Sequence, residues 1–179
     1  MPTVLTILAD GFEEIEAFTP VDLLRRAGIE VTVATLSENR HATGRSGITA
    51  HGDVALSTVR ETLFDLVFLP GGPGVQNMRA DARVREIVLL HHRENRWLAA
   101  ICAAPTILND CGLLAGRRYT AHFSVAHELA GILGHERVVT DGNITTSQGA
   151  GTAMDFGLHL VELLTSRTRK DEVGKAICL

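Results

Sequence analysis

No stretch constrains the fold of this chain more than Trp97 to Leu108. The apolar run Trp97-Leu98-Ala99-Ala100-Ile101 ends at Cys102, the small residues Ala103-Ala104 and then Pro105 follow, and Thr106-Ile107-Leu108 opens a helical pattern. Proline suits the first turn of a helix, where its missing N–H is not needed. The stretch therefore predicts strand, abrupt turn and helix, with Cys102 on the turn. Ala100 and Ala104 stand two residues either side of Cys102. That is nucleophile-elbow spacing, with Cys for Ser and Ala for Gly. Small residues are needed because the chain doubles back on itself. The turn lifts the sulfur to the top of a sheet at a helix N-terminus, where the macrodipole favours a thiolate by about 0.3–1 kcal/mol. The residues alone leave a buried structural cysteine as the alternative.

The rest of the chain supplies the sheet. Val4 to Leu8 is nearly all apolar, as in a strand covered on both faces. A helical pattern through Ile15, Phe18, Val21, Leu23 and Leu24 follows Asp10-Gly11. Thr19-Pro20 interrupts it and predicts a second helical piece, which Ala27-Gly28 ends. Val31 to Leu36 is the next strand, completing a right-handed βαβ unit. Ser37 to Gly52 reads as a loop or small hairpin. Leu66 to Leu69 is a third strand ending at Pro70-Gly71-Gly72-Pro73-Gly74, and Arg79 to Arg96 reads as one helix. Arg118 to Ala121 is a short strand leading to His122, and Ser124 to Leu133 a short helix. Val138-Val139 and Ile144 to Thr146 form a hairpin around Asp141-Gly142-Asn143. Ser147 to Gly151 is a loop feeding a helix from Thr152 to Leu164, and Asp171 to Cys178 is a last helical segment. Alternating strands and helices predict a single α/β domain over residues 1–179: a doubly wound, mostly parallel sheet with helices on both faces. Sites in such sheets lie beyond the carboxyl ends of the strands. That edge receives Glu16, Gly71, Gly72, Cys102 and His122.

Composition excludes several classes. A net charge of −4 gives no reason to expect nucleic acid or acidic lipid as a partner. Three cysteines, Cys102, Cys111 and Cys178, make no disulfide framework and suggest a reducing cytoplasm. No basic segment precedes an apolar one at the N-terminus, so no signal peptide is visible. No apolar run approaches the roughly 20 residues of a membrane span. No set of His, Cys, Asp and Glu has metal-ligand spacing.

Several residues could serve Cys102. Glu13, Glu14 and Glu16 open the first helix, where acidic residues offset the dipole. Ala17 and Phe18 follow Glu16, so its side chain can instead point into apolar surroundings, where burial raises a carboxyl pKa. A protonated Glu16 beside Cys102 would donate to the thiolate and stabilise it. Gly71 and Gly72 lack phosphate-loop spacing. They form either a bare turn or backbone donors for a reacting oxygen. His122, one of eight histidines, is singled out only by its place after a short strand.

Taken together, these segments resemble the ThiJ/PfpI superfamily. The closer likeness is to the branch of the parkinsonism-associated protein deglycase and its bacterial relatives. The matching residues run in the family's order over nearly the whole chain: Gly11 to Glu16, Pro20 to Gly28, Leu69 to Gly72, Ala99 to Pro105 and Thr146 to Thr152. The resemblance implies a flavodoxin-like fold and a homodimer, with Asp22 and Arg26 at the dimer contact. It implies Cys102 as an oxidation-prone thiol, Glu16 as its protonated partner, backbone donors at Gly71, Gly72 and Ala103, and His122 nearby. It further implies a cofactor-free glyoxalase or deglycase acting on 2-oxoaldehydes or their early amine and thiol adducts, or an oxidative-stress sensor and chaperone. A Cys-His hydrolase using His122 is a third reading. Three positions depart from the family. The order Arg45-Ser46-Gly47 differs from a Ser-Arg-Gly-like turn and sets the arginine's anion-binding role near the site in question. Ala150 replaces a frequent proline. Ala103 stands where the protease-like branch has histidine, which argues against peptidase activity.

Overall fold

The computed structural model describes all residues from Met1 to Leu179. The strands are β1 (Thr3–Leu8), β2 (Glu30–Thr35), β3 (His41–Thr43), β4 (Thr49–His51), β5 (Val54–Ala55), β6 (Leu66–Leu69), β7 (Trp97–Ile101), β8 (Val138–Asp141) and β9 (Ile144–Ser147). The helices are α1 (Glu14–Arg26), α2 (Val75–Ala80), α3 (Ala82–Arg93), α4 (Pro105–Asp110), α5 (Ala153–Leu164) and α6 (Arg167–Ala176). Seven strands form one sheet in the order β5-β2-β1-β6-β7-β9-β8. All its pairings are parallel except β8 with β9. This is the doubly wound, flavodoxin-like α/β architecture expected from the alternating pattern.

Both faces are covered, which is why the strands read as unbroken apolar runs. On one face Leu5, Ile7, Val67, Leu69 and Leu98 pack under α2, α3 and α4. On the other Val4, Leu8, Phe68, Ala99 and Ile101 pack under α1, α5 and α6. Each fully buried Leu or Phe there contributes about 1.5–3 kcal/mol. Chain order reverses between β1 and β6, so a crevice opens where these strands end.

Several expectations need correction. Helix α1 runs through Pro20 without a second start. An interior proline costs one backbone hydrogen bond. Helix α5 backs it closely: a Cβ on Gly157 would stand 2.9 Å from Pro20 Cα. Ile15, read as apolar in the helical pattern, is exposed. The expected helix from Arg79 to Arg96 is two helices, because Asp81 is extended and caps α3 by accepting from the Arg83 N–H. The expected strand at Arg118 to Ala121 is a single bridge between Tyr119 and Ile132. Ser124 to Leu133 is not a helix but a 3₁₀ turn at Phe123–Val125 followed by turns. Beyond Leu129 its backbone is tied outward: the Gly131 N–H donates to the Tyr119 hydroxyl and the Leu133 N–H to the Tyr119 carbonyl. Helix α6 starts earlier than expected, because Ser166 caps it. Ser37 to Gly52 does contain a hairpin, β3–β4, and the two-residue strand β5 was too short to leave a pattern. No helix is long and apolar enough to cross a membrane.

Candidate active site

Cys102 follows β7 in the left-handed region, at φ 66°. For a non-glycine residue this conformation costs of order 1–3 kcal/mol and persists only where the surroundings enforce it. Two backbone bonds do so here. The Cys102 N–H donates to the Ser147 carbonyl at 3.0 Å, and its carbonyl accepts from the His122 N–H at 2.9 Å. Pro105 opens α4, as the turn requires.

Glu16 reaches the same point from α1. Glu13 caps the helix, its carboxylate accepting from the Glu16 N–H at 2.7 Å, which fixes the first turn. The Glu13 N–H in turn donates to the Gly71 carbonyl at 3.0 Å, locking α1 to the end of β6. Glu16 is only 2% exposed. The reason for glycine at position 71 is visible in the same place. A Cβ there would collide with Glu16 Oε2 and with the Cys102 Cβ. Absence of that side chain lets carboxyl and thiol meet. Glu16 Oε2 is buried with no conventional hydrogen-bond partner, so the sulfur is the polar group it confronts.

Burial sets the electrostatics. Loss of solvent pushes the Glu16 carboxyl up to about 7, against the pull of the nearby sulfur and of the Gly71 and Ala150 N–H groups. Burial also pushes the Cys102 thiol up to about 12, helped by the charge of Glu16, while the Gly72 and Ala103 N–H groups pull it down. The expectation of a simple low-pKa thiol is thus revised. The two groups titrate as a pair. The carboxyl gives up its proton first, near 7, and its charge together with burial keeps the proton on sulfur up to about 12. Donors at Gly72 and Ala103 ease ionisation of the sulfur without outweighing its burial. Gly71 differs from its expected role: its N–H faces the Glu16 carboxyl.

His122 lies beside the pair but is engaged elsewhere. Its Nδ1 accepts from the Ser124 N–H at 3.2 Å and lies 2.8 Å from the Ser124 hydroxyl. A neutral ring therefore carries its proton on Nε2. Its ring makes no hydrogen bond to Cys102, the contact a Cys-His hydrolase would need. Phe123 packs against it, tilted by 33°, with centroids 4.1 Å apart.

A cavity of about 490 Å³ holds Glu16, Cys102 and His122, together with Arg45, Gln76 and Glu128. Sequence reasoning missed Gln76 and Glu128, which carry no motif signal. Arg45 corrects a second expectation: despite the altered order of its turn, it lines this cavity. The β3–β4 turn is docked on the start of α1. The Arg45 N–H donates to the Phe12 carbonyl at 2.8 Å and the Ser46 N–H to Glu14 Oε1 at 2.8 Å. Asp22 and Arg26 lie outside the cavity. They pair with each other at 2.6 Å on the exposed side of α1.

A doubly wound sheet with a strained cysteine elbow and a buried carboxyl against the sulfur defines a class of cysteine-centred α/β proteins. The chain belongs to the DJ-1/PfpI family, whose model matches residues 2–163. It is 37% identical to protein dj-1beta of Drosophila melanogaster over 98% of this chain and 96% of that one. The crystal structure of that protein superposes with a TM-score of 0.96 at 36% identity, covering 99% and 98% of the two chains. The chain is 32% identical to the glutathione-independent glyoxalase DJR-1.2 of Caenorhabditis elegans, over 93% and 90% of the two sequences. An oxidised Toxoplasma gondii DJ-1 matches with a TM-score of 0.94 at 31% identity, covering 99% and 98%.

Proposed function

We propose that the protein is a glutathione-independent glyoxalase and deglycase, acting on 2-oxoaldehydes and their early adducts with amines or thiols. The observation that carries this reading is the buried Glu16 carboxyl set against the Cys102 sulfur at the elbow, with only Gly71 between them. The Cys102 sulfur attacks the aldehyde carbon, and the pair's proton passes through Glu16 to the carbonyl oxygen, giving a hemithioacetal. The Gly72 and Ala103 N–H groups support the charge that develops near the sulfur. Glu16, now a carboxylate, removes the proton from the carbon bearing sulfur and returns it to the neighbouring carbon. The product is a 2-hydroxyacyl thioester, which water cleaves to the 2-hydroxy acid and the free thiol. A carboxyl whose pKa lies near 7 suits both directions of this transfer at neutral pH. No cofactor enters the scheme. The kinship with a glyoxalase supports it. The test is conversion of methylglyoxal to lactate without glutathione. Turnover that survives Cys102→Ser would sink it.

A second reading has its own support. The N–H groups of Gly72 and Ala103 around the sulfur would also hold a sulfinate, and one structural relative is an oxidised form. Peroxide treatment followed by intact mass then shows two added oxygens confined to Cys102.

The protein acts as a homodimer in this reading. Exposed Met154 on α5 lines one surface hollow with Asp22 and Arg26 of α1, and Ile15 is exposed on the same helix. Sedimentation velocity checks it: a single monomer-sized species at micromolar concentration contradicts it.

A further inference from the structure

The hairpin β3–β4 places His41 directly opposite His51. His51 Nδ1 and His41 Nε2 are 3.4 Å apart, and the rings are inclined at 63° with centroids 4.9 Å apart. Both side chains are exposed. Neither lines the Cys102 cavity. An ordinary hydrogen bond from nitrogen is about 2.7–3.2 Å long, so 3.4 Å is a loose one. It is, however, the bite of a chelate. Two imidazole nitrogens, each about 2.0–2.1 Å from a tetrahedral metal, stand about 3.3–3.4 Å apart.

We propose that His41 and His51 form an exchangeable two-imidazole site for a borderline divalent transition metal of the zinc or copper type. In the required tautomers each ring keeps its proton on the nitrogen facing away, so binding to the neutral pair releases none. Imidazole matches these metals in softness, whereas Mg²⁺ and Ca²⁺ prefer oxygen. No third His, Cys, Asp or Glu joins the pair, so water completes the coordination. The backbone presets the geometry. The His41 N–H donates to Asn39 Oδ1 at 2.9 Å and the Gly52 N–H to the Arg40 carbonyl at 2.7 Å, pinning both strands beside the rings. The Arg40 guanidinium, the nearest cation in sequence, is directed to the Asp53 carbonyl at 3.3 Å. The two ligands lie ten residues apart and come together only through the hairpin register.

Zn²⁺ titration of the full-length protein, followed by histidine-ring NMR and by calorimetry, tests the site. The His41 and His51 ring signals shift first and together. His41→Ala and His51→Ala each weaken that binding by about 10²-fold, the loss expected when a chelate becomes a single contact. His135→Ala leaves it unchanged. Zinc affinity unaltered in either hairpin variant overturns the proposal. So does a titration in which other histidines shift while these two stay still at large excess of metal. Neither outcome bears on Cys102 turnover.

Discussion

Two ionisable side chains are sealed on opposite sides of the sheet, and their surroundings give them opposite roles. His91 on α3 is fully buried, with Nδ1 donating to the Ile87 carbonyl at 2.7 Å and Nε2 accepting from the Phe64 N–H at 3.0 Å. Burial lowers its pKa and keeps it neutral. Both nitrogens are satisfied, so the residue ties α3 to the segment before β6. Glu16 on α1 is buried almost as deeply, but its Oε2 has no conventional partner. Burial raises its pKa, and the unmet oxygen faces a thiol. Full satisfaction makes a buried polar group part of the scaffold; an unmet atom at the sheet edge keeps the proton available for chemistry.

Substitutions should separate the two regions, most strongly in turnover. Cys102→Ser abolishes methylglyoxal conversion, and Glu16→Gln lowers kcat by about 10²–10⁴-fold, the usual worth of a general acid–base group. His91→Leu leaves kcat within a few-fold but lowers unfolding free energy by about 2–4 kcal/mol, from the stranded Phe64 N–H and repacking. Urea denaturation checks this. An activity loss in His91→Leu as large as that of Glu16→Gln would break the distinction.

Stability should also depend on pH with opposite signs in the two places. The folded pKa of Glu16 is raised, so the folded state holds the extra proton between 4.5 and about 7. Its contribution is fully present below 4.5 and disappears as pH rises through 7. Glu16→Gln therefore stabilises the protein at pH 8 by up to about 3 kcal/mol, and the gain vanishes toward acid pH. His91 has a lowered folded pKa, so its contribution is present above 6.5 and is lost as pH falls below that value. In His91→Leu this acid-side loss flattens. Thermal melts across pH read both slopes. The smallest effect is at Asp22. Its pair with Arg26 is about half exposed, so Asp22→Ala costs the fold about 0.5 kcal/mol or less. A larger effect on dimer dissociation would place the pair at the interface.

The sequence disclosed the sheet because β1, β6 and β7 are covered on both faces and read as apolar runs. The elbow was legible because small residues must flank a doubled-back chain. Glu16 could be flagged, since apolar neighbours follow it, but its contact with sulfur depends on Gly71 and on the register of β6 with β7. Ser124 to Leu133 misread as a helix because its own backbone bonds stop at Leu129, beyond which Gly131 and Leu133 bond to Tyr119 and Thr120. The place of Arg45 near the site stayed in question for a similar reason. Only the docking of the β3–β4 turn on α1 brings it to the cavity.

The raised carboxyl can be observed at its source by carbon-13 NMR of Glu16 across pH. A midpoint near 7 is expected in the native protein, displaced when Cys102 is replaced by serine. A midpoint near the ordinary 4.5, unaffected by Cys102→Ser, would contradict it.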